Sequence, residues 1–142
     1  MTHRPSRFWH GWLQATCIAV IALGLTMVLL PVFTARAFAL MLYGDAQRLA
    51  GFGVDAQRYI DLVHAVLGAV LIGWGAALLG IVRGPLARGD RGARRLVAVG
   101  VAAWYVPDTA VSLLTGFWPN AMLNTVFAVA FAIPLLALGT RR

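Results

Sequence analysis

The sequence contains no lysine and no glutamate, and Cys17 is its only cysteine. A lone cysteine excludes an intramolecular disulfide, a CxxC redox pair and a cysteine-rich metal site. Charge of either sign is scarce, at 12% of 142 residues, where an ordinary soluble domain carries about a quarter. All twelve basic residues are arginine and all five acidic ones aspartate, a bias that reads as the coding of a GC-rich bacterium. No Walker loop, dinucleotide-binding glycine fingerprint, GxSxG elbow, HExxH zincin motif or CaaX box occurs. The motifs that most often announce an enzyme are therefore missing.

What fills the chain is apolar. Hydrophobic residues make up 61% of it, and the mean hydropathy is +0.80. The net charge of +7 would raise the question of nucleic acid in a soluble protein. Here the arginines flank apolar runs, so lipid headgroups and topology account for them and no nucleic-acid partner is expected.

A hydrocarbon core about 30 Å thick needs roughly 20 apolar residues in helix. Four stretches meet that requirement, at about 11–33, 59–82, 96–115 and 120–138. Helix is the conformation expected for all four, because lipid offers no partner to free backbone N–H and C=O groups and four strands cannot close a barrel. The fold predicted is all-α: a polytopic membrane four-helix bundle forming a single domain over residues 1–142.

Arginines are retained on the cytoplasmic side of a membrane. Nine of the twelve fall on one side: Arg4, Arg7, Arg83, Arg88, Arg91, Arg94, Arg95, Arg141 and Arg142. The other side holds Arg36, Arg48 and Arg58, partly balanced by Asp45 and Asp55. Both termini are thus predicted to be cytoplasmic, in a bacterial inner membrane. An alternative is a signal peptide cleaved after the small residues of TARAFA, but the apolar run is about twice the length of a signal h-region.

The long first outer loop is predicted to contain a short amphipathic helix over ARAFALMLYG, lying on the outer surface. The repeated tetrapeptide DAQR, at Asp45 to Arg48 and Asp55 to Arg58, reads as two helix starts with aspartate as the N-cap. In the second span Ala65, Ala69, Gly73 and Ala77 follow a small-xxx-small pattern, a signature of close helix contact within or between subunits.

Polar residues interrupt the outer halves of three spans. Tyr105, Asp108, Thr109 and Ser112 share one face of the third span at offsets of three, four and seven. Asp61 and His64 enter the second span three residues apart, and Asn120 and Asn124 enter the fourth four apart. An aspartate at the centre of a span costs about 2.5 to 3.5 kcal/mol on insertion scales, so Asp108 is predicted to face inward. Its candidate partners are Tyr105, His64, an asparagine, or Arg58 reaching from the outer helix end. These residues together predict a polar pocket opening outward above an apolar floor.

Three functions fit such a pocket. The first is a non-enzymatic protein that binds a small amphipathic molecule, a quinone or lipid, or a partner subunit's helix. The second is an intramembrane proton-transfer enzyme of isomerase type, with His64 as acid/base, Asp61 orienting it and Asp108 stabilising positive charge. The third is a small transporter built as a homo-oligomer. Asp61, His64 and Asp108 also include ligand types found at non-haem iron, yet no second intramembrane histidine accompanies them and no metal or resident cofactor is predicted.

The stretches RYIDLVHAVLGAVLIGWG and WYVPDTAVSLLTGFWPNAMLNTVFAVAFAIPLL, about a third of the chain, resemble the small bacterial DoxX-like membrane proteins. The likeness lies in four short spans, a long first outer loop, a histidine early in the second span and polar residues late in the third. It implies a four-helix membrane fold and admits a quinone as ligand. No redox residue carries over from it.

Overall fold

The computed structural model describes residues Arg4 to Gly139, with side chains from Arg7 onward. Arg141, Arg142 and the side chain of Arg4, three of the nine arginines used to predict topology, lie outside the described residues. Five α-helices follow one another: α1 Arg4–Leu29, α2 Pro31–Tyr43, α3 Val54–Ile81, α4 Arg91–Leu114 and α5 Trp118–Gly139. A 3₁₀ turn at Arg48–Gly51 precedes α3, and a π-helical turn at Val82–Leu86 extends it. Four segments, Arg7–Leu29, Val54–Leu86, Arg91–Leu114 and Trp118–Gly139, are long and apolar enough to cross a membrane. The chain is a multi-pass membrane protein by that measure, and such helices imply contact with a lipid bilayer.

The four long helices form two pairs. α1 packs along α3, α4 along α5, and α1 closes the bundle against α5, while α3 and α4 touch only slightly. The α1–α3 seam is a backbone contact: a Cβ on Gly24 would lie 2.6 Å from the Gly68 carbonyl oxygen, and one on Gly68 2.6 Å from that of Gly24. Gly75 continues the seam one heptad on, against Ile21 and the Cys17 carbonyl. Small residues permit this approach, as in other membrane helix pairs. They are not the ones expected from the small-xxx-small pattern, because Ala69, Gly73 and Ala77 are exposed and Ala65 half-buried. Gly68 and Gly75, seven residues apart on the face toward α1, carry the contact instead.

Toward the end that holds both the start of α1 and the end of α5, the pairs meet in an apolar core. Leu13, Cys17, Leu78, Val82, Val97 and Phe131 are among its members. Asp90 caps α4 there, its Oδ1 accepting from Gly92 N–H at 2.7 Å and Ala93 N–H at 3.3 Å. Arg83, Arg88, Arg91, Arg94 and Arg95 cluster at this basic end.

The first span ends earlier than predicted, at Leu29, because Pro31 cannot continue α1 and instead opens α2 at its first turn. The short helix expected in the first outer loop is present as α2, packed against the bundle. It begins at Pro31, buries Thr34, Ala35 and Ala39, and packs against α1, α3 and α5. At its far end Tyr43 meets Phe117 of the α4–α5 turn edge to face, centroids 5.7 Å apart. α2 thus bridges the two pairs opposite the basic end. Gly44 terminates it at φ 72°, a conformation that a Cβ would strain.

Of the two DAQR segments, only the first uses its aspartate as a local cap: Asp45 Oδ1 accepts from Gln47 N–H at 2.8 Å. The N-cap of α3 is Gly53, so Asp55 sits inside the first turn, where its charge still suits the helix dipole.

Candidate functional site

α4 and α5 form a hairpin whose tight turn passes through Gly116 at φ 82° and is closed by Phe117 N–H donating to the Ser112 carbonyl at 2.7 Å. The antiparallel register brings the late residues of α4 beside the early residues of α5. Asn120 Nδ2 donates to Asp108 Oδ1 at 3.0 Å and to Ser112 Oγ at 2.8 Å. Ser112 Oγ donates to the Asp108 carbonyl at 2.7 Å, with Asp108 Oδ1 at 3.3 Å. Trp104 Nε1, one turn earlier on α4, donates to Asp108 Oδ2 at 3.1 Å. Both carboxylate oxygens are therefore acceptors in a network of uncharged donors.

Tyr105 belongs to a neighbouring contact, its hydroxyl 3.2 Å from Thr125 Oγ1 on α5. Thr109 is half-buried, and its Oγ1 is shielded and has no hydrogen-bond partner. Asn124 is only 4% exposed, and its amide nitrogen is likewise shielded and unpartnered. The face drawn from sequence for the third span thus divides between three surroundings, with Asp108 and Ser112 as its shared polar centre.

A cavity of about 320 Å³ lies where α3 and α4 stand apart, and all five helices contribute to its lining. His64, Asp108, Asn120 and Asn124 supply its polar edge. Phe38, Trp74, Trp104 and Phe127 supply aromatic walls. Trp74 and Trp104 span the gap between the pairs with centroids 5.6 Å apart, and Trp74 also packs against Phe131 of the core. Phe38 meets the His64 imidazole edge to face at 5.7 Å, so α2 helps to hold that ring. His64 Nδ1 lies 2.9 Å from the Ile60 carbonyl oxygen.

Asp61 does not join this cavity. It is half-buried in a separate crevice of about 70 Å³ that includes Arg36 of α2 and Gln57. Asp61 is accordingly not the group that orients His64; the Ile60 carbonyl does so. Arg58 also stays away, its guanidinium 4.0 Å from Asp55 with both side chains open to solvent. Among the described residues no three His, Cys, Asp or Glu side chains gather into a candidate metal site.

Reading the sequence alone overlooked Trp104, Thr125, Phe38 and Trp74. The indole N–H of Trp104 lies one helical turn from Asp108, a spacing that would have identified it. Thr125 requires the register of the hairpin, and Phe38 requires knowing that α2 folds back into the bundle. A second cavity, of about 350 Å³, occupies the basic end beside Asp90, Arg91, Arg94 and Arg95.

No family model matches the chain, and no curated protein or solved structure is significantly similar to it. The resemblance to DoxX-like proteins is therefore not supported as a family assignment. A small four-helix membrane architecture is what remains of it.

Proposed function

We propose that this multi-pass membrane protein binds a small amphipathic molecule, a quinone or a membrane lipid, in the cavity between its two helix pairs. One observation carries the reading: a cavity of about 320 Å³ has four aromatic rings in its walls and His64, Asp108, Asn120 and Asn124 along one polar edge. Such a lining suits a molecule with an apolar body and a polar head. The volume of about 320 Å³ falls at the small end of ligand sites.

A partner subunit's helix suits the space less well, because it is lined from five helices and is far smaller than a helix. The proton-transfer reading loses its orienting carboxylate, since Asp61 lies in another crevice. A binding role needs neither.

The test is extraction of the purified protein with organic solvent and mass spectrometry of what it releases, alongside a cavity-filling Leu71→Trp variant. Wild type should yield an enriched apolar small molecule that the variant, equally well inserted, yields at least several-fold less. Identical extracts from both proteins would overturn the proposal.

A further inference from the structure

Building on the binding reading above, we infer that the occupant is an uncharged molecule bearing a hydroxyl group on an apolar body, a quinol rather than a quinone or a lipid alcohol rather than a phospholipid, and that His64 Nε2 accepts the hydroxyl proton in a hydrogen bond. The argument starts from the His64 ring. A carbonyl oxygen can only accept, so the 2.9 Å contact between Nδ1 and the Ile60 oxygen requires the proton on Nδ1. In the neutral imidazole the other nitrogen then keeps a lone pair. Among the described residues Nε2 has no hydrogen-bond partner, and His64 lines the cavity. What completes it is a donor.

Asp108 does not compete for that donor. Its oxygens already accept from Trp104, Asn120 and Ser112, which makes the carboxylate an anchor for the α4–α5 hairpin. Its acceptor character disfavours a carboxylate or phosphate head nearby. Among the described residues no arginine lines the cavity to offset that: Arg58 lies exposed beside Asp55 and Arg36 borders the Asp61 crevice. Asn124 lies along the same polar edge. Around this polar edge the walls are rings, Phe38, Trp74, Trp104 and Phe127, which favour a flat apolar body.

Three probes of similar size separate these features: 4-butylphenol, its methyl ether 4-butylanisole, and 4-butylbenzoate. Binding to the full chain in nanodiscs is measured by equilibrium dialysis at neutral pH against empty nanodiscs. The phenol should bind about tenfold more tightly than the ether, the effect of one buried hydrogen bond against an unpaired acceptor, and the benzoate should bind weakest. The preference should vanish in His64→Phe and shrink in His64→Gln, whose amide can donate to the ether; Gln also serves where Phe fails to fold. Equal binding of phenol and ether by wild type, strongest binding of benzoate, or a preference retained in both His64 variants would overturn this inference and leave the binding reading intact. Binding of none of the three above empty nanodiscs would overturn both.

Discussion

Asn120 Nδ2 lies 3.0 Å from Asp108 Oδ1 and 2.8 Å from Ser112 Oγ, so one amide on α5 joins two α4 side chains that stand a helical turn apart. The contact lies in an apolar surrounding, where a carboxylate without donors is costly. Asn120→Leu should therefore destabilise the protein by about 1 kcal/mol, the cost of removing one donor from a half-buried carboxylate. Asp108→Asn in the same background should recover part of the loss, because an amide tolerates a missing donor better than a carboxylate does. Unfolding in detergent, followed by circular dichroism, measures both. Additive losses in the double variant would show that the pair is not coupled.

Trp104 serves the other carboxylate oxygen from 3.1 Å. Trp104→Phe keeps the ring against Trp74 but deletes the N–H, and should cost about 1 to 2 kcal/mol in the same unfolding assay. Asp108→Asn should reduce that increment. An unchanged cost would mean that Trp104 contributes packing alone.

The close approach of Gly24 and Gly68 gives a sharp contrast between two glycines of one helix. A Cβ at position 68 would meet the Gly24 oxygen and Met27 Cβ within 2.7 Å, whereas one at Gly73 would meet nothing within 4 Å. Gly68→Val should separate α1 from α3 and cost about 1 to 3 kcal/mol or more, as overpacking does. Gly73→Ala should fall within about 0.5 kcal/mol of wild type. Equal sensitivity at the two positions would contradict the seam.

Much of this architecture could be read before any coordinates, and the reason is length. Twenty apolar residues in a row have one stable arrangement in lipid, so four helices and their alternation were fixed by hydropathy, and with them the shared depth of His64, Asp108 and Asn124. Facing was harder to read. Asp61 and His64, three residues apart, differ by only about 60° around the helix, yet α2 lies against α3 so that its Arg36 borders the Asp61 crevice while Phe38 meets His64. The position of α2 decides the partition, and α2 itself was not legible as a bundle member. In a membrane protein a short apolar helix has the same composition on the surface as inside. The α1–α3 seam was obscured for a related reason, since a chain rich in alanine and glycine offers several small-residue stripes and only one of them is buried.

Asp90 holds the start of α4 through its two backbone contacts. Asp90→Ala should cost about 1 kcal/mol, with Asp90→Asn or Asp90→Ser retaining most of the stability as alternative caps. The measurement is again detergent unfolding. Equal destabilisation by all three would assign Asp90 an electrostatic role beside Arg91 and Arg94 in place of capping.

The arginine distribution makes a prediction about direction across the membrane. Arg83, Arg88, Arg91, Arg94 and Arg95 gather at the end of the bundle opposite α2, and positive charge is retained in the cytoplasm. In a Cys17→Ser background, a cysteine at Ala46, in the turn after α2, should react with a membrane-impermeant maleimide on intact spheroplasts. One at Ala87, beside the basic end, should react only after permeabilisation. The reverse pattern would invert the protein in the bilayer. It would leave the cavity and its hydrogen bonds unchanged, while transferring access to them from one leaflet to the other.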